Sequence, residues 1–182
     1  MKTNTPQLWE GSAAVRTLAQ HIRDRGLRMI LIVTDAAQWA GDRLETLLSG
    51  LQEQGVTWQI YTGTGSEATT DNIEEAAELY GITGCEGIVT FGGTASIDCG
   101  KVTAAHLYRP ATPLSRLKRI IRSCGRHIPL FEITSSVDNP SVLGSAAAVI
   151  DGKTGRRLVL HGPDLQADAV VCDPELQPAR VG

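Results

Sequence analysis

The sequence predicts an α/β fold, a parallel sheet of the Rossmann type with helices on both faces. Short apolar, β-branched runs alternate along the chain with segments of helical length and period. This alternation indicates βαβ units, whose right-handed crossovers place helices on both faces of one sheet. Several runs are apolar throughout, as in strands buried on both faces. The 182 residues suffice for one domain with a real core, so we expect residues 1–182 to form a single domain.

The first predicted element is a helix over residues 12–25. Its apolar positions recur at helical spacing: Val15, Leu18, Ala19 and Ile22. Ser12 is the expected N-cap, and Gly26 is expected to end the helix.

The next elements alternate regularly. They are a strand over 28–35, a helix over 42–54, a strand over 56–61 and a helix over 69–81. Asp42 is the expected N-cap of the helix over 42–54, and Gly55 its end. The helix over 69–81 has acidic residues in its first turn, which complement the helix dipole, and it is expected to end on Gly81.

The second half continues the alternation and then changes character. It predicts a strand over 87–91, a helix over 95–107, a basic helix over 114–123 and a strand over 128–134. The sequence "DGKTG" between two apolar runs predicts a β-hairpin within 146–162. A last short strand within 167–174 is stopped by Pro174, and we expect the tail to fray.

Composition excludes several classes of protein. The net charge is −3 without a basic block, so nucleic acid is not an expected partner. No apolar run approaches the ~20 residues of a membrane span, and the N-terminus lacks a signal-peptide pattern, so we expect a cytoplasmic protein. The four cysteines form no CxxC pair and the four histidines are scattered, so we expect reduced, mostly buried thiols and no metal site made by this chain alone.

Two features at the ends of predicted strands suggest a nucleotide site. Asp35 follows "LIVT", where a carboxylate can accept hydrogen bonds from an adenosine ribose and repel a 2′-phosphate. The alternative is that Asp35 caps the next helix. Gly92 and Gly93 follow "GIVTF" and let backbone N–H groups approach phosphate, or else form a tight turn with positive φ.

Two further patterns are weaker. Asp98 and Lys101 share one helix face, and their apolar surroundings favour a buried structural face over a surface ion pair. The "GTGSE" at 63–67 looks like a phosphate-binding loop, but a bare GxG is common in loops, and we interpret this match as coincidence.

The order of these motifs resembles the iron-containing (group III) alcohol dehydrogenases, including the homologues of ethanolamine and propanediol utilisation. "LIVTD" is similar to the family's strand that ends in a ribose-binding aspartate. "GGTASIDCGK" is similar to its GGGSxxDxAK motif, and "EITSSVDNPS" stands where the family has "IPTTAGTGSE". "AAVIDGKTGRRLVLHGPDLQADAVVCDPEL" resembles the segment that follows, so the resemblance covers residues 8–177.

The resemblance implies a fold like the N-terminal domain of dehydroquinate synthase and NAD- or NADP-linked interconversion of alcohols and aldehydes. The positions that it implies as cofactor-binding are Asp35, Gly92, Gly93, Asp98, Lys101, Thr134, Ser135 and Arg157. In the family, a helical C-terminal domain follows "DPEL" and supplies one aspartate and three histidines to the metal. We therefore expect no metal ligand and no catalytic residue in these 182 residues.

Three departures from the family pattern affect the expected activity. Thr94 and Ala95 replace a glycine and a serine of GGGS, and Asp138 is expected near the phosphates. We therefore expect weak dinucleotide binding and no alcohol oxidation by the chain alone. The alternatives are a catalytically inactive binding or assembly module, one half of a split dehydrogenase, or a site for a smaller nucleotide or anion. We also expect self-association, or a partner chain that covers an exposed face of the sheet.

Overall fold

The computed structural model describes residues 5–116, 127–135, 138 and 141–176. The strands are β1 (Gln7–Glu10), β2 (Met29–Asp35), β3 (Thr57–Thr64), β4 (Gly87–Phe91), β5 (Leu130–Thr134), β6 (Ala146–Ile150), β7 (Arg157–His161) and β8 (Ala169–Cys172). The α-helices are α1 (Ala14–Asp24), α2 (Ala36–Ala40), α3 (Glu45–Glu53), α4 (Thr70–Thr83) and α5 (Thr94–Tyr108). Short 3₁₀ turns cover Leu114–Arg116, Pro163–Leu165 and Pro174–Leu176.

Six strands form one parallel sheet in the order β1-β8-β5-β4-β2-β3. Strands β6 and β7 form a separate antiparallel hairpin. Both results confirm the predicted α/β class and the hairpin. Since β2 and β4 are neighbours, their carboxyl ends lie side by side, and these are the ends that carry Asp35 and Gly92.

Two apolar cores lie on opposite faces of the sheet. Helices α1 and α3 cover one face and pack on alternate strand residues such as Ile30 and Ile32. Helices α4 and α5 and the hairpin cover the other face and pack on the intervening residues, such as Leu31 and Val33. Successive side chains of a strand point to opposite faces of the sheet, so each of these strands contributes residues to both cores.

Helix α5 is buried nearly all round, between the sheet and both α4 and the hairpin. Ten consecutive residues, from Ser96 to Ala105, are buried. It approaches the sheet closely at Gly100, where an added Cβ would lie 2.1 Å from Thr90 Cγ2. Because only glycine leaves that space, Gly100 sets the distance between α5 and β4.

Several predicted boundaries are wrong. The first helix begins after Ala13 without a side-chain cap, so Ser12 is not its N-cap. The Asp42 side chain does not cap α3, whose N-cap is Leu44; instead the backbone carbonyl of Asp42 accepts a hydrogen bond from the Glu45 N–H. Helix boundaries depend on local backbone geometry that several polar residues can satisfy, so composition alone places them poorly.

Other elements were missed or extend further than predicted. Strand β1 and helix α2 are too short for a periodic signal. Helix α4 continues past Gly81 and ends at Gly84, which has a left-handed φ of 70°. The predicted basic helix over 114–123 lies mostly outside the described residues. Among the described helices, none has the length and apolarity that crossing a membrane requires.

Candidate functional site

A cleft of about 150 Å³ opens where three segments meet at the carboxyl side of the sheet. Its walls are residues 66–68 before α4, the first turns of α5, and the hairpin. Thr94, Ala95 and Asp98 line the cleft from α5, and Arg157 lines it from β7. The structure thus brings Asp98 and Arg157 together from positions 59 residues apart in the chain (157 − 98 = 59).

The turn between β4 and α5 suits an anion. Gly92 has a φ of 132°, which disfavours any other residue there. Gly93 is the N-cap of α5, and a Cβ added to it would meet nothing within 4 Å. No side chain caps α5, so backbone N–H groups of its first turn can point towards a ligand with the positive end of the helix dipole.

Asp35 combines a structural role with a position beside this turn. Its Oδ1 accepts a hydrogen bond from the Gln38 N–H at 2.9 Å, so Asp35 is the N-cap of α2. Its Oδ2 lies 3.3 Å from the point that a Gly92 Cβ would occupy. The capping alternative is therefore confirmed, while the second oxygen faces the glycine turn.

The hydroxyl of Ser96 does not replace the one missing at Ala95. Ser96 is buried, and its Oγ lies 3.1 Å from Thr64 Oγ1. Because the Thr64 hydroxyl donates to the Thr34 carbonyl, Ser96 must donate to Thr64. The single proton of Ser96 therefore holds β3 to α5 and is not available to a phosphate.

Asp98 is buried at the inner wall of the cleft. Its Oδ2 accepts a hydrogen bond from the Ala148 N–H at 3.2 Å, whereas no described residue donates a hydrogen bond to Oδ1. Burial raises the pKa of the Asp98 carboxyl, and hydrogen bonds from Ala148 and Ser141 and the charges of Lys101 and Arg157 oppose that rise. A buried oxygen without a donor is costly, and a ligand N–H or O–H would satisfy it.

Lys101 is completely buried and lies outside the lining of the cleft. Its Nζ donates to the carbonyl oxygens of Ser141 and, at 2.9 Å, of Gly144. It also lies 3.6 Å from Glu132 Oε1, an ion pair of two fully buried side chains. The prediction of a buried face is confirmed, but the partner of Lys101 is Glu132 on β5 rather than Asp98.

Sequence reasoning missed Glu132. Burial raises the pKa of this carboxyl, and the Lys101 ammonium opposes the rise. Within the part of the chain that the structure describes, neither carboxylate oxygen of Glu132 accepts a hydrogen bond, and its charged partner is the Lys101 ammonium. The available signal was one acidic residue inside the apolar strand "PLFEIT", which a lysine of the facing helix could balance.

Two further predicted cofactor-binding residues lie outside the cleft lining. Thr134 and Ser135 lie at the end of β5, and neither is part of the cleft lining. Conversely, residues 66–68 line the cleft although we interpreted "GTGSE" as a coincidental match. The three described cysteines, Cys85, Cys99 and Cys172, are buried as predicted. Within the described ranges, no three His, Cys, Asp or Glu side chains gather as a metal site requires.

Comparison with known proteins gives a consistent result. A family model described as iron-containing alcohol dehydrogenase matches residues 5–174. The 4-hydroxybutyrate dehydrogenase of Cupriavidus necator is 30% identical over 167 residues, which are 90% of this chain and 43% of that protein. The probable alcohol dehydrogenase EutG of Escherichia coli K12 is 24% identical, over 91% of this chain and 42% of its own length.

Solved structures share the fold. A 1,3-propanediol oxidoreductase superposes with a TM-score of 0.88 at 18% identity and covers 95% of this chain and 45% of its own. The sulfoacetaldehyde reductase of Bifidobacterium kashiwanohense, in complex with NAD⁺, gives a TM-score of 0.82 at 16% identity over 94% and 45%. The chain thus spans less than half the length of the relatives that it matches.

Proposed function

The chain belongs to the iron-containing alcohol dehydrogenase family, and we propose that it is the part of such an enzyme that binds NAD or NADP. The observation that carries the proposal is the adjacency of Asp35 and the Gly92–Gly93 turn at the carboxyl ends of neighbouring strands. Open α/β sheets bind nucleotides at such ends.

The adenosine ribose and the diphosphate of a dinucleotide each have a fitting group in this chain. Asp35 would accept hydrogen bonds from the adenosine ribose, and the Gly92–Gly93 turn with the start of α5 would hold the diphosphate. The open space at Gly93 supports this assignment, because a side chain there would fill it. Asp98 Oδ1 would accept a hydrogen bond from the ligand in the cleft, beside Arg157.

When bound, the nicotinamide ring accepts or gives a hydride, and the family match supports alcohol and aldehyde as the other pair of reactants. The residues described here do not fit an iron ion, because they gather no set of three ligands. These residues alone would bind the dinucleotide without oxidising an alcohol.

Titration with NADH and NADPH by calorimetry tests the proposal. We expect NADH to bind more tightly than NADPH, because the Asp35 carboxylate repels a 2′-phosphate. Asp35→Ser keeps an N-capping oxygen for α2 but removes the charge. Losing a hydrogen bond to a charged group costs about 1.5–3 kcal/mol, so NADH should bind roughly tenfold or more weakly and the preference over NADPH should shrink. No binding of either nucleotide by the unsubstituted chain at millimolar concentration would sink the proposal.

Restoring the family's phosphate loop tests the role of the cleft wall. Thr94→Gly with Ala95→Ser removes a branched side chain from the cleft and returns a hydroxyl donor. One new hydrogen bond to a charged phosphate should tighten NADH binding about tenfold, measured by the same titration. Gly93→Ala gives the opposite test, because it fits the empty protein without contact but would obstruct the ligand. Unchanged affinity in both variants would show that the diphosphate lies elsewhere.

A further inference from the structure

Trp39 is a large aromatic side chain exposed beside Asp35. It lies on α2, the five-residue helix that Asp35 caps, and 46% of its surface is exposed. No residue of α2 is buried, so packing against the core does not account for a tryptophan at this position.

Helical spacing relates the direction of Trp39 to that of Gln38. The two are consecutive residues of α2, so their side chains point about 100° apart around its axis. Gln38 is on the side of the glycine turn, because its Cγ lies 3.5 Å from the point that a Gly92 Cβ would occupy. Trp39 therefore points away from the direction in which Gln38 meets the glycine turn.

We propose that the indole ring of Trp39 stacks on the adenine base of the bound dinucleotide. This rests on the proposed function, which places the ribose at Asp35 and the diphosphate beside Gly92 and Gly93. A nucleotide carries its base and its 5′-phosphate at opposite ends of the ribose. With the phosphate on the Gly92 side of Asp35, the base falls on the Trp39 side.

Stacking is the interaction that this position offers. An exposed indole presents a flat face to any base and needs no hydrogen-bond pattern. Stacking of a base on an aromatic side chain changes affinity by about five- to 150-fold. Stacking on Trp39 would therefore compensate in part for the weaker diphosphate binding that we expect from Thr94 and Ala95.

Calorimetric titration of Trp39→Ala and Trp39→Phe with NADH and with ADP-ribose, which lacks the nicotinamide ring, tests the proposal. Trp39→Ala should lower the affinities for NADH and for ADP-ribose by the same factor, at least about fivefold. Trp39→Phe keeps a stacking face, so its affinities should stay within about threefold of those of the unsubstituted chain. Ile82→Ala is the matched control: this side chain is 77% exposed at the far end of α4, and its loss should change neither affinity.

A second measurement, tryptophan fluorescence, does not depend on the Trp39→Ala variant. Stacked adenine should quench tryptophan fluorescence when ADP-ribose is added, and Trp39→Phe should abolish that quenching. Tight NADH binding by the unsubstituted chain together with unchanged affinity in Trp39→Ala, or with no quenching, would overturn the stacking and leave the proposed function standing. A loss seen with NADH but not with ADP-ribose would also overturn it, since the contact would lie on the nicotinamide half. Absence of NADH binding by the unsubstituted chain would overturn both proposals.

Discussion

Asp98 and Lys101 lie three residues apart on α5 but hold different parts of the molecule. Asp98 accepts a hydrogen bond from Ala148 and leaves one oxygen at the cleft wall. Lys101 fixes the carbonyl groups of Ser141 and Gly144 just before β6. The two side chains together fasten the hairpin segment to α5, so the cleft has a rigid inner wall.

The hydrogen bond between His127 and Asp168 should make the stability of the fold depend on pH. Its Nε2 lies 2.6 Å from Asp168 Oδ1, and that hydrogen bond raises the pKa of His127 although burial opposes the rise. Burial works to raise the pKa of Asp168, but the hydrogen bonds from His127 and Leu130 lower it on balance. Asp168 thus stays charged while His127 titrates, with Arg25 also facing the pair.

Because the folded pKa of His127 is raised, its stabilising contribution is complete below the ordinary value of 6.5 and is lost as pH rises through the raised value. Urea unfolding at a series of pH values should therefore show the stability advantage of the unsubstituted chain over His127→Gln shrinking above pH 6.5. The effect is modest and salt-sensitive, because His127 is half-exposed. An advantage that grows with pH would contradict the assignment.

Helix α5 positions the residues of the glycine turn and the inner wall of the cleft. It begins at the glycine turn, lines the cleft with its first turns, and is buried on the sheet, α4 and the hairpin. Its distance from the sheet fixes how far Asp98 stands from the hairpin. Gly100 is the residue that permits this distance, because Thr90 fills the space facing it.

Gly100→Ala should lower the free energy of unfolding by about 1–3 kcal/mol or more, because the new methyl group meets a buried, β-branched side chain. Thr90→Ser removes the methyl group that it meets, so the double variant should recover most of the loss in a denaturant-based mutant cycle. Gly81→Ala in the exposed part of α4 should instead stabilise the protein by up to about 1 kcal/mol, since nothing lies near its Cβ. Additive losses in the cycle would contradict contact between positions 90 and 100.

At the level of the whole fold, two apolar cores pack on opposite faces of the six-stranded sheet. The strands β2, β4, β5 and β8 contribute alternate residues to both cores. That residues 1–182 form a single domain stays a prediction. Self-association was expected from an uncovered face of the sheet, whereas helices and the hairpin cover both faces. The exposed large apolar side chains are spread over several elements: Leu8, Trp39, Ile82, Tyr108, Leu143 and Val159.

Self-association stays a prediction, and its support is the edge strand β1, which among the described strands pairs with β8 alone and exposes Leu8. Sedimentation velocity at micromolar concentration should show a species heavier than 19.4 kDa. A single monomeric species there would contradict it. Leu8→Lys should shift the distribution to monomer, because charged side chains block edge-to-edge pairing.

The sequence by itself determined the order of the main elements, the apolar strands, the hairpin and the family motifs. These depend on local period and on short-range spacing, which a chain displays before it folds. Tertiary structure alone decided that Lys101 pairs with Glu132, that residues 66–68 reach the cleft, and that Arg157 stands beside Asp98. Such contacts join segments that are distant in sequence, and only the packing of α5 between the sheet and the hairpin fixes their distances.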